Sequence, residues 1–76
     1  MNKARRKSLN ELLEQLEDIK SGLEDLKNEE DEYRDNMPEN LQGSELYERS
    51  DEASSSMDEA IDYLDEAISS IGEAAE

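Results

Sequence analysis

Apolar side chains recur at alternating three- and four-residue steps through the first half of the chain. Read in sevens from Leu9, position a is Leu9, Leu16, Leu23, Glu30 and Met37, and position d is Leu12, Ile19, Leu26 and Tyr33. This alternation predicts an amphipathic helix with a coiled-coil-like a/d seam, interrupted once, at Glu30. Position c, on the helix back, is acidic throughout: Glu11, Asp18, Asp25 and Glu32. The second half repeats more plainly, as SDEASSS, MDEAIDY, LDEAISS and IGEAAE from Ser50. Its d residues are Ser50, Met57, Leu64 and Ile71, and its a residues are Tyr47, Ser54, Ile61, Ile68 and Ala75. Glutamate fills every f position (Glu45, Glu52, Glu59, Glu66, Glu73), and alanine fills the g positions Ala53, Ala60, Ala67 and Ala74. The second helix is expected to have a narrow apolar stripe, a smooth alanine flank and an acidic back.

Punctuation between the repeats sets the boundaries. Ser8-Leu9-Asn10-Glu11 fits a capping box, in which Ser8 and Glu11 satisfy each other's backbone amides. Pro38 disfavours helical geometry at Met37, so the first helix should stop near Asn36. Ser44 is placed to N-cap the second helix, with Glu45 favourable to its dipole. The organisation is then a basic arm or first helical turn over 1–7, a helix over 8–36, a turn over 37–43 and a helix over 44–75. A connection this short makes the helices antiparallel neighbours, an all-α hairpin. Its register can be read from charge. Lys20, Lys27 and Arg34 occupy e positions on the first helix, and Asp51, Asp58 and Asp65 occupy e positions on the second. Folding at the turn sets Arg34 opposite Asp51, Lys27 opposite Asp58 and Lys20 opposite Asp65. Exposed pairs of this kind add little stability, but they select one alignment. Gly22, inside the first helix, costs roughly 1 kcal/mol relative to alanine and suggests close packing.

A single hairpin covers each apolar side chain on one side only. For so small a scaffold, apolar burial and ordering entropy nearly cancel. Leu13 and the row Ala53, Ala60, Ala67 and Ala74 widen the apolar surface beyond the seam. They predict self-association of two hairpins into a four-helix bundle, a homodimer. The alternative is a monomer completed by a partner protein.

Charge narrows the choice of partner. The chain carries 23 acidic and eight basic residues, a net charge of −15. Four of the cations (Lys3, Arg5, Arg6, Lys7) precede Ser8, so residues 8–76 hold four cations against all 23 acids, a net of −19. Such a surface repels nucleic acid and anionic membranes and attracts basic proteins. Spread over a hairpin about 50 Å long, it is roughly one charge per 2–3 Å, against about 1.7 Å for duplex DNA. The candidate partner-binding residues are the outward rows Glu45, Glu52, Glu59, Glu66 and Glu73, with Glu11, Asp18, Asp25 and Glu32. The basic arm is expected beside the end of the second helix, near Glu73 and Glu76.

Candidate chemistry is sparse. There is no His, Cys or Trp, so a serine nucleophile lacks its usual base, and zinc and disulfides lack their usual ligands. Asp31 to Gln42 lacks the glycine and the alternation of a calcium loop. No catalytic residue, metal or cofactor is expected. Glu30 at an a position must find a hydroxyl or water, or fix alignment as a polar layer. Tyr33 and Tyr47 should cap the core at the same end. No apolar stretch follows Met1 to Lys7, so a secretion signal is not expected, and the chain reads as cytoplasmic.

The NKARRKSL start, the PENLQGSELYE turn and the repeated DEAI of the second helix resemble small acidic helical accessory proteins of phages and mobile elements in Gram-positive bacteria. The resemblance covers nearly the whole chain. It implies a protein acting in the host cytoplasm that binds and inhibits a host or defence enzyme. It brings no catalytic residue with it.

Overall fold

The computed structural model describes all 76 residues. Helix α1 spans Lys3–Asp35 and helix α2 spans Glu45–Ala74, joined by a bend with one 3-10 turn at Glu39–Leu41. There is no strand. The helices pack antiparallel as a hairpin whose Cα atoms extend 60 × 14 × 12 Å.

Local chemistry explains where each helix starts and stops. The Asn2 side chain caps α1 by accepting from the Arg5 amide at 2.7 Å. Residues Lys3 to Lys7 are therefore helical, and the capping box expected at Ser8 does not form. The Ser8 hydroxyl instead donates to the Ala4 carbonyl at 3.2 Å. Lys, Ala and Arg favour helix, and Asn is a strong cap, so the helix runs back to the first available cap. At its other end α1 stops at Asp35, ahead of Pro38. Ser44 caps α2 as expected, accepting from the Tyr47 amide at 3.3 Å.

Helix α2 faces α1 with its expected a and d residues: Ser50, Ser54 and Ile61 are buried, and Tyr47, Met57, Leu64, Ile68 and Ile71 are half-buried. Helix α1 is rotated from expectation. Its inward residues are Leu9, Leu13, Leu16, Lys20, Leu23, Lys27, Glu30 and Arg34, positions a and e. The d residues Leu12, Ile19, Leu26 and Tyr33 are 49, 58, 57 and 53% exposed. Tyr33 therefore does not cap the core, whereas Tyr47 is half-buried. Steps from a to e and from a to d follow the same alternation of threes and fours, so a seven-residue repeat permits both. The cations decide between them. Turning α1 toward e lays the aliphatic stems of Lys20, Lys27 and Arg34 along α2 and brings their charged ends to its aspartates. Leu13 moves into the hairpin seam and away from the alanine flank.

The seam is graded along its length. Leucines of α1 meet Ile61, Leu64, Ile68 and Ile71 toward the open end. Near the bend the inward residues turn polar, and Met37, 8% exposed, closes that end. Only Met37, Ile61, Ala75, Ser50 and Ser54 are buried, so the hairpin is thinly covered.

Candidate functional site: carboxylate rows and a polar layer

All three cross-helix charge pairs form in the expected register. Lys20 lies 2.6 Å from Asp65, Lys27 lies 3.7 Å from Asp58, and the Arg34 Nε lies 4.0 Å from Asp51. For Lys27 and Arg34 the nearer partner is Asp31, at 3.0 and 2.8 Å on the same helix. Asp31 was not assigned a role by pattern, because it stands outside the a/d repeat.

Asp31 anchors a polar layer across the seam. Arg34 Nη1 donates to the Ser50 carbonyl, the Ser50 hydroxyl and the Ser54 hydroxyl at 3.1, 3.3 and 2.8 Å. The Ser54 hydroxyl donates to Asp31 at 2.7 Å, and the Ser50 hydroxyl donates to Glu30 at 2.7 Å. Glu30 thus finds the serine hydroxyl that its seam position requires. The hydrogen bond from Ser54, followed by those from Lys27 and Arg34, holds the Asp31 carboxyl below its ordinary 3.8, at about 2. Hydrogen bonds to Asp65 and to Asp31 raise Lys20 and Lys27 above the usual lysine value, and Asp31 likewise raises Arg34. A satisfied polar layer of this kind fixes alignment, because sliding either helix by one heptad would strand its charges.

The nine candidate binding carboxylates are all exposed. Glu45 is the one drawn into an ion pair, 2.6 Å from Arg49. Glu59 accepts from the Tyr63 hydroxyl at 3.3 Å. The other seven, Glu52, Glu66, Glu73, Glu11, Asp18, Asp25 and Glu32, have no side-chain ion pair or hydrogen bond. Position c of α1 and position f of α2 both point away from the seam, so the two rows run along opposite edges of the hairpin. Within a row, carboxylates repeat about every 10.5 Å, seven residues at 1.5 Å each. No group of three or more of them is placed to hold a metal ion.

The basic arm departs from expectation. Lys3, Arg5, Arg6 and Lys7 form no ion pair with Glu73 or Glu76. Continuing the Lys20–Asp65 register brings Glu76 level with Leu9, so the arm projects past the end of α2. Arg6 there donates to the Met1 carbonyl at 3.4 Å, and its Nε has no partner.

On the face opposite the charge pairs the alanine row is as expected, but the ridge beside it is not. The exposed ridge Leu12, Ile19, Leu26 and Tyr33 lies on the side of α1 away from position e, roughly a quarter-turn from the seam. The alanine row lies on the same side of α2, with Ala60 and Ala67 half-buried and Ala53 and Ala74 exposed. The charge-pair register sets Leu26 level with Ala60 and Ile19 level with Ala67. The result is an apolar ridge running beside a shallow alanine trough. Leu13, expected to share a self-association surface with these alanines, is instead half-buried in the hairpin seam.

Fold and surface together define an acidic antiparallel helical hairpin with two carboxylate edges and one apolar face. No protein-family model, curated protein or solved structure matches the chain. No helix is long and apolar enough to cross a membrane.

Proposed function

We propose that this protein is a non-enzymatic binding protein that presents its outward carboxylates to the basic, nucleic-acid-binding surface of a protein partner. One observation carries the reading: neighbouring acids in the repeat have separate employment. Asp51, Asp58 and Asp65 lie within ion-pair distance of cations on α1, whereas Glu52, Glu59 and Glu66, one residue later, face solvent without a cation. Folding therefore uses one acid of each Asp-Glu pair and leaves the other free. The resemblance to phage accessory proteins extends this to an inhibitor of a host or defence enzyme, acting in the host cytoplasm without binding nucleic acid directly. A second reading, a self-associating structural or adaptor bundle, is supported by the exposed Leu12–Tyr33 ridge.

The test is capture of partners from host lysate at low and at half-molar salt, using the native chain and a variant with Glu52, Glu59 and Glu66 changed to Gln. Exposed charges are screened beyond about 8 Å at physiological ionic strength, so an electrostatic partner should be lost in high salt. It should also be lost from the variant, while helix content stays unchanged. A partner retained equally under all conditions would refute the carboxylate reading and favour the apolar face.

A further inference from the structure

We infer that two copies of this chain dock through the ridge and the alanine trough, and that the acidic binding surface is completed only in that dimer. The inference rests on the carboxylate reading for what the surface binds, and on the shape of the apolar face for how it is built.

The face is self-complementary under one symmetry operation. A two-fold axis parallel to the helices, lying in the plane of contact, sets α1 of one copy over α2 of the other, antiparallel. The ridge then enters the partner copy's trough. The axis permits no sliding, so levels are preserved: Leu26 meets Ala60 of the second copy, and Ile19 meets its Ala67. An axis across the helices would instead set ridge on ridge. Two features unexplained by the hairpin alone also fall into place. A Cβ added to Gly22 would meet nothing within 4 Å, so the hairpin gives no reason for a helix-weakening glycine there. Tyr63 is 61% exposed. Both lie on the outer side of the apolar face, and in the dimer the Tyr63 ring of one copy stands level with Gly22 of the other. The contact spans about 32 Å by about 20 Å, the width of two helices, or roughly 1,300 Å² counting both sides, within the range of specific interfaces.

Docking also rearranges the carboxylates. Within one hairpin the two acidic rows face opposite ways. In the dimer, the Glu11–Glu32 row of one copy runs beside the Glu52–Glu73 row of the other, with Asp25 level with Glu59 of the second copy. The rows are separated by roughly the 8–10 Å between packed helices. Charge density follows. One chain has −15 over 60 Å, one charge per 4 Å, and two chains have one per 2 Å. Duplex DNA has one per ~1.7 Å. Averaged over its whole length the dimer comes close to the duplex, whereas the single hairpin stays below it even over residues 8–76, where the basic arm does not dilute the charge. Its like-charged rows repel, so salt should strengthen self-association, whereas salt weakens binding to a cationic partner.

Sedimentation equilibrium, with and without a deca-lysine peptide, tests both parts. The native chain should have twice the chain mass at high micromolar concentration, more completely in half-molar salt. The peptide should promote the dimer at low salt, because a ligand of the paired rows stabilises the state that has them. Ile19→Gln with Leu26→Gln, which leaves net charge unchanged, should give a helical species of one chain mass that binds the peptide about tenfold more weakly. Ala60→Glu should also dissociate the dimer, so the result does not depend on one variant folding well. A native chain that stays monomeric in half-molar salt would overturn the dimer, leaving the carboxylate reading standing. A dimer whose monomeric variants bind the peptide equally well would overturn the composite surface. A dimer that binds no peptide would overturn the carboxylate reading itself.

Discussion

Ser54→Ala should destabilise the hairpin and change its response to acid. Ser54 is 5% exposed, and its hydroxyl both accepts from Arg34 at 2.8 Å and donates to Asp31 at 2.7 Å. Hydrogen bonds to charged groups contribute about 1.5–3 kcal/mol each, but Arg34 keeps Ser50 and Asp31, and Asp31 keeps Lys27, so a net loss of ~1–2 kcal/mol is expected. A scaffold of this size rarely has more than about 3–5 kcal/mol in total, so the change should be large in urea denaturation. The acid response follows from linkage. The Asp31 carboxyl is held at about 2 instead of 3.8, with Ser54 the largest cause. A depressed carboxyl stabilises the fold above its ordinary value, and that contribution is lost as pH falls from about 4 toward 2. Without Ser54, the Asp31 titration followed by carbon NMR should move up toward 3.8. The difference in stability between native chain and variant should then shrink across the same interval. Unchanged stability at neutral pH together with an unmoved Asp31 titration would refute the polar layer.

Three further outcomes follow from the seam and the register. In dilute solution Leu13→Ala should cost about 1–2 kcal/mol and Leu12→Ala under about 0.5, because only Leu13 faces α2; equal costs in thermal melts would restore the a/d seam. Lys20→Asp should lower the melting temperature and Asp65→Lys added to it should recover most of the loss, Lys20 being a cleaner choice than Lys27, which Asp31 shares; failure of the second change to rescue would show a different alignment. Gly22→Ala should stabilise the dilute monomer by about 0.5–1 kcal/mol through helix propensity while weakening self-association in sedimentation; stabilisation of both states alike would place Gly22 outside any interface.

The fold was legible in the repeat because each level of pattern agreed: the spacing of threes and fours, the stop before Pro38 and the cap at Ser44, and the spacing of Lys20, Lys27 and Arg34 against Asp51, Asp58 and Asp65. What the repeat did not contain was the rotation of α1. Leu12 and Leu13 are adjacent leucines, and either completes an alternation with Leu9 and Leu16. The choice depends on where three long cationic side chains can reach, a property of the paired helices and not of one helix. For the same reason the repeat does not mark Asp31: its importance comes from Ser54 and Arg34 meeting there across the seam. Of the two alternatives for residues 1–7, an arm or a first helical turn, the helical one holds, because the capping box at Ser8 loses to a cap further upstream at Asn2. The f row of α2 was unaffected by the rotation, and the c row of α1, exposed in either arrangement, was turned by it to point directly away from the seam.

The division of labour within the Asp-Glu repeats can be measured in one comparison. Asp51, Asp58 and Asp65 are changed together to Asn in one variant, and Glu52, Glu59 and Glu66 together to Gln in another, giving equal charge. Denaturation midpoint and affinity for a basic partner are then measured on both. The Asn variant should be the less stable of the two, by up to about 1 kcal/mol per pair, because its aspartates meet cations across the seam. The Gln variant should keep the native midpoint or exceed it through reduced self-repulsion, while its affinity falls steeply. Equal loss of affinity in the two variants, with equal midpoints, would mean that net charge alone governs binding and would contradict a built carboxylate face.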